Sequence, residues 1–115
     1  MNAEQKKRVV ELIAALRSGK YEQGHDQLRN GNAFCCLGVA CDLYNKDLWK
    51  RDHFLDHLGS LPNEVLFWYG FPHRLGPTIS GTNLAGWNDS GFSFDRIAAE
   101  LSNWLDEQPS GESTP

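Results

Sequence analysis

The sequence predicts an α+β fold, mostly helical, in one domain over residues 1–108, with about four helices around a buried central helix and a small β-hairpin. Three observations predict it. Apolar residues recur at helical spacing near both ends of the chain, one stretch between them is apolar on nearly every side, and glycine-rich segments separate the periodic ones.

The first stripe is Val9, Leu12, Ile13 and Leu16, spaced i, i+3, i+4 and i+7. It predicts a helix over Ala3–Arg17 that Gly19 ends. Lys20–Asn32 holds the turn residues Gly24, Asn30, Gly31 and Asn32, and reads as an irregular, partly extended connection with a short strand. Phe34–Tyr44 is the most apolar stretch. Its length exceeds that of an ordinary strand, so it is assigned as the central helix. Gly38 inside it costs about 1 kcal/mol relative to Ala, which suits a place where another backbone comes close.

Asn45–Gly59 is mixed, with Leu48, Trp49, Phe54, Leu55 and Leu58 as anchors. Pro62 suits the first turn of a short helix carrying Val65, Leu66, Trp68 and Tyr69, stopped by Gly70 and Pro72. His73–Gly91 reads as a long loop holding a hairpin around Ser80–Gly81. The last helix has Ser93 as N-cap, Asp95 at the positive end of the dipole, and a stripe of Phe94, Ile97, Ala98, Leu101, Trp104 and Leu105 that Pro109 ends. The two terminal helices are expected to pack their stripes on the central element. Residues 109–115 lack an apolar anchor and are expected to be a disordered tail.

Composition narrows the function classes. A formal charge of −4, from 11 basic and 15 acidic side chains, argues against a nucleic-acid binder, which usually carries a basic stripe. No apolar stretch approaches the roughly 20 residues of a membrane span, and no apolar segment of a signal peptide follows the charged first residues. Cys35, Cys36 and Cys41 are odd in number and unsuited to a disulfide framework, so buried free thiols and a cytoplasmic location are expected.

Four constellations could carry chemistry. Cys35 or Cys36 at the start of a buried helix would gain thiolate character from the dipole, as in Cys–His hydrolases; His25, His53, His57 and His73 are candidate bases, Asn88 or Asp89 an orienter, and Gln23 or Gln27 an oxyanion donor. Small thiols filling a crowded core are the favoured alternative. His53 and His57 would share a helix face at a spacing metals use, but a third ligand is missing, and neither metal nor cofactor is expected. The segment Gly76–Asn83 could cradle a phosphate, yet it lacks the lysine of a P-loop and reads as surface loop. In Gly86-Trp87-Asn88-Asp89-Ser90-Gly91 the polar side chains suit a turn, with Trp87 plugging the core, or else Asn88 and Asp89 project into a Trp-lined cleft.

Three landmarks follow in order: Tyr21-x-Gln23-Gly24, then Phe34-Cys35-Cys36-Leu37-Gly38-Val39, then Leu84-x-x-Trp87-Asn88-Asp89 with Gly91 and Phe94-x-x-Ile97-Ala98. In this the chain resembles small phage- and prophage-encoded proteins, and more distantly a bacterial family of domains of unknown function with C-L-x-G-A and W-N-D motifs. The resemblance implies a shared fold over residues 21–98 and a phage context. It brings no activity and no catalytic residues. The function expected is a non-enzymatic module that captures a host protein or a small polar ligand, with Gln23, Trp87, Asn88 and Asp89 as ligand-binding residues. A thiol-dependent hydrolase or transferase and a structural, oligomerising protein are the alternatives.

Overall fold

A computed structural model describes residues 1–109; the expected tail lies almost wholly outside the described residues. Helix α1 (Ala3–Arg17) opens with a capping box in which the Asn2 side chain accepts from the Gln5 backbone N–H and Gln5 returns the bond. Its buried residues are the four of the predicted stripe. Helix α5 (Phe94–Asp106) starts at the Ser93 cap and buries Phe94, Ile97, Ala98, Leu101 and Leu105. The most extensive helix contact is between α1 and α5. The terminal helices therefore pack mainly on each other, and α1 also packs on the central helix.

That central helix is α2 (Cys36–Tyr44), shorter than expected because Phe34 belongs to a strand. Three two-residue strands form a small sheet in the order β1 (Glu22–Gln23), β3 (Ala33–Phe34), β2 (Arg29–Asn30). β1 runs parallel to β3, and β2 antiparallel to it. The chain between β1 and β2 crosses over α2: the Leu28 carbonyl accepts from Cys35 N, and a Cβ on Gly38 would overlap that same carbonyl. This is the close backbone approach that glycine inside an apolar helix foreshadows.

Two further hairpins complete the β part: β4 (Trp49–Lys50) with β5 (His53–Phe54), and β6 (Thr78–Ile79) with β7 (Thr82–Asn83). The first of these corrects the helical spacing of His53 and His57. Trp49 pairs across the strands with Phe54, ring centroids 4.9 Å apart, and Leu55 and Asp56 take positive φ, so His57 folds back to bridge Phe54. Cross-strand aromatic pairing outweighs helix formation here. Helix α3 (Asn63–Tyr69) follows Pro62 and ends at Gly70, φ +74°. The expected hairpin at Ser80–Gly81 is present, but the rest of the supposed loop contains a fifth helix, α4 (Leu84–Asp89), capped by Asn83 on Gly86 N. Its six residues are too few for periodicity to show.

Gly38→Ala should destabilise the protein by roughly 3 kcal/mol, the upper end for overpacking, because the obstacle is main chain and cannot swing aside. Urea denaturation should show a lower midpoint at unchanged slope. A midpoint equal to wild type would mean that α2 and the Leu28 segment are not in contact.

Candidate functional site

The three sequence landmarks meet around one carboxamide. Asn88, at the end of α4, is the buried polar residue among those described, with no exposed surface. Its Oδ1 accepts from Gln23 Nε2 at 3.0 Å and from the backbone N–H of Cys36 at 3.2 Å. Its Nδ2 donates to the Gly24 carbonyl at 2.7 Å. Gln23 extends the network: Nε2 also donates to the Phe92 carbonyl, and Oε1 accepts from the first N–H of α5, that of Phe94. One side-chain pair thus ties β1, α2, α4 and α5 together.

Each bond answers a local need. The Cys36 N–H is one of the orphan donors at a helix start, and Asn88 satisfies it. The third, that of Gly38, is met by the cap residue, Cys35 Sγ accepting from Gly38 N at 3.4 Å. Phe94 N is the corresponding orphan of α5. Among the described residues no buried side-chain nitrogen or oxygen lacks a partner.

Gln23, Cys36 and Asn88 therefore converge, but in the interior and not in an open cleft. Trp87 is half-buried and serves as a clamp: its indole N–H is shared between the Ile79 and Thr82 carbonyls of the β6–β7 hairpin, and its ring meets Phe92 at 4.5 Å. The Arg96 guanidinium covers both rings. Segment Gly76–Asn83 is largely that hairpin. Asp89 alone of the four expected residues is exposed. Its Oδ1 accepts from Asp26 N at 2.9 Å, and so caps a residue held at φ +69°. Next to it, His25 Nδ1 lies 3.0 Å from the Asn88 carbonyl. The Asn88 Nδ2 lies 3.5 Å from the same ring nitrogen, so the backbone carbonyl and the side-chain amide of Asn88 both face the imidazole.

Sequence reasoning passed over His25's neighbour Asp26, and also Asp42, which accepts from both the Tyr21 hydroxyl (2.6 Å) and the Trp49 indole (3.1 Å). Nothing in the residue types marks either position. Burial, and then the Asp42 bond, push the Tyr21 hydroxyl well up.

The thiols respond to burial more than to the helix dipole. Cys35 stands at the N-cap of α2, where a dipole favours thiolate, yet burial pushes it from 9.0 up to about 11; the Gly38 and Leu37 N–H groups pull the other way without prevailing, and the Asp89 charge raises it further. Cys36 and Cys41 are held well above the usual thiol range by burial as well. Among the described residues no three His, Cys, Asp or Glu side chains are grouped to hold a metal ion.

A family model described as "Domain of unknown function (DUF8296)" matches residues 1–105, and the chain belongs to that family. This agrees with the distant resemblance to a family of such domains. No curated protein and no solved structure matches the chain.

Two predictions test the site. Asn88→Leu should cost about 3 kcal/mol, since it orphans the Cys36 N–H, the Gly24 carbonyl and part of Gln23 in the interior; thermal unfolding measures it, and a near-neutral result would mean that water replaces the amide. The folded state keeps the Cys35 thiol protonated to a higher pH than the unfolded chain does. Its contribution to stability is therefore full below pH 9.0 and falls as pH rises toward about 11. Urea midpoints should decline across that window, and iodoacetamide at pH 7 should label the native protein far more slowly than the urea-unfolded chain.

Proposed function

We propose that this DUF8296 protein is a non-enzymatic binding module that captures a host protein or a small polar ligand at the corner formed by His25, Asp26 and Asp89. The observation that carries the reading is the fixed geometry of that corner. Asp26 sits at φ +69°, a conformation that costs a non-glycine residue of order 1 kcal/mol, and the Asp89 carboxylate holds it there. Gln23 and Asn88 act as positioning residues behind the corner, and Trp87 fixes the neighbouring hairpin. Outward it offers the Asp26 carboxylate and the second Asp89 oxygen, both acceptors, beside the exposed His25 ring. A partner rich in N–H donors, such as a basic or amide-bearing surface, complements it.

Free buried thiols fit a reducing cytoplasm, and no helix among the described residues is long and apolar enough to cross a membrane. The order of the Q-G, C-C-L-G-V and N-D motifs supports a phage setting, in which a compact module would act by stoichiometric capture.

The double variant Asp26→Asn, Asp89→Asn removes both charges while keeping an acceptor for the residue 26 N–H and, at position 26, a residue that tolerates positive φ. Immobilised protein exposed to bacterial lysate, with native mass spectrometry of what it retains, should show species bound by wild type and lost by the variant at an unchanged melting temperature. Equal retention by both would remove the corner as the contact surface.

A further inference from the structure

We propose that the groove between the tips of the β2–β3 and β4–β5 hairpins binds the phosphoryl group of a small phosphorylated ligand. The groove has a volume of about 390 Å³ and is lined by Arg29, Gly31, Asn32, Trp49, Arg51 and Asp52. It uses none of the residues of the Asp26–Asp89 corner, so either proposal can fail without the other.

The two tips are held in register. Asp52 Oδ1 accepts from Gly31 N at 3.1 Å, joining one hairpin to the other. Arg29 is fixed on three sides: its guanidinium lies 5.0 Å from the Phe34 ring and 5.4 Å from the Trp49 ring, and its Nε donates to the Gly31 carbonyl at 2.7 Å. Stacking and the Nε bond leave the terminal nitrogens free, the edge with which arginine grips an oxyanion by two parallel bonds. Trp49 is itself anchored, its indole N–H donating to Asp42.

The groove is rich in donors and poor in acceptors. Among the described residues, the terminal nitrogens of Arg29, the guanidinium of Arg51 and the amide of Asn32 have no hydrogen-bond or ion-pair partner. Asp52, the acidic residue of the lining, already has one oxygen on Gly31 N. Two arginines against one aspartate make this a local cationic site on a chain of net charge −4. That overall charge disfavours a polyanion and favours a small monoester. Trp49 supplies a wall on which a ring borne by the ligand can stack.

Arg51, the first tip residue of the β4–β5 hairpin, is held at φ +53°, where glycine is the unstrained choice. The same tip position is Gly31 at +61° in the β2–β3 hairpin and Ser80 at +53° in the β6–β7 hairpin. Glycine therefore fits at position 51, and replacing Arg51 by it removes a groove-lining guanidinium without a backbone cost.

This separates binding from folding. Arg51→Gly relieves strain and removes the guanidinium, so the fold should melt at the same temperature or higher while the site weakens. Amide chemical shifts of the full chain would be followed with inorganic phosphate and with AMP, against sodium chloride at matched ionic strength. Gly31, Asn32, Arg51 and Asp52 should shift with both phosphoryl probes and not with chloride. AMP binding tighter than phosphate would show that Trp49 stacks the base; equal affinities would show a site for the phosphoryl group alone. Arg51→Gly should weaken either probe roughly tenfold or more, the loss expected for a hydrogen bond to a charged group. Arg29→Lys, which keeps the charge but loses the fork, should weaken both as well. The proposal is overturned if neither probe moves these amides at about 10 mM, well above a millimolar dissociation constant, or if Arg51→Gly titrates like wild type.

Discussion

Asn88 binds the fold together because its carboxamide is the one side chain that matches what surrounds it. The position needs an acceptor facing two N–H groups, those of Gln23 and Cys36, and a donor facing the Gly24 carbonyl. Aspartate would set two acceptors face to face at Gly24 and bury a charge. Leucine would fill the space and leave the Cys36 N–H and the Gly24 carbonyl without this partner, each at about 1–3 kcal/mol, while Gln23 would keep its bond to Phe92. The elements joined here are short, apart from α5, and the strands have two residues each. Such pieces gain little from their own hydrogen bonds. Contacts between elements hold them, and this amide sits where four of them meet.

The cysteines follow from the same constraint. The start of α2 is buried beneath the Leu28 segment, so its cap must lie in an apolar setting. Serine or aspartate would accept the Gly38 N–H more strongly, but their desolvation would cost more. A thiol is a weak acceptor that loses little on burial. Asn88 takes up the Cys36 N–H, which the sulfur does not serve. Capping by Cys35 and bonding by Asn88 are therefore two halves of one solution, and it gives the cysteine and W-N-D landmarks a shared structural role.

This also explains how much of the molecule was legible beforehand. Helices α1 and α5 could be read from their stripes because each buries one face against a single partner surface. Gly38 announced its close contact. The segment around His53 misled, because Arg51-Asp52 is not a pair that signals a tight hairpin and Leu55 is among the residues least suited to positive φ. Helix α4 hid among glycine and asparagine, since its stability comes from the Asn83 cap and from Trp87 pinning the hairpin and not from propensity. At the candidate site the residues were identifiable but their direction was not. Polar side chains on loops usually face water. Whether an amide turns inward depends on which orphaned N–H and C=O groups another part of the chain brings beside it, and those come here from segments more than 50 residues away.

The division of labour that results is physical. Saturated bonds, with Asn88 unexposed and Gln23 half-buried, make the Gln23–Asn88 knot a poor place for recognition, because any ligand would have to replace bonds already made inside the protein. Strain is distributed differently. Of the five non-glycine residues at positive φ among those described, three lie in or beside the β4–β5 hairpin (Arg51, Leu55 and Asp56), Ser80 is at the β6–β7 tip, and Asp26 sits at the corner that Asp89 caps. Each such conformation costs about 1 kcal/mol or more and persists only where the surroundings over-determine it. The helices and the knot supply that determination, so the hairpins can hold geometries that they could not keep alone. The proposed recognition surfaces are those strained, donor- or acceptor-rich turns, while the residues that first attract the eye in the sequence are the ones that hold the turns in place.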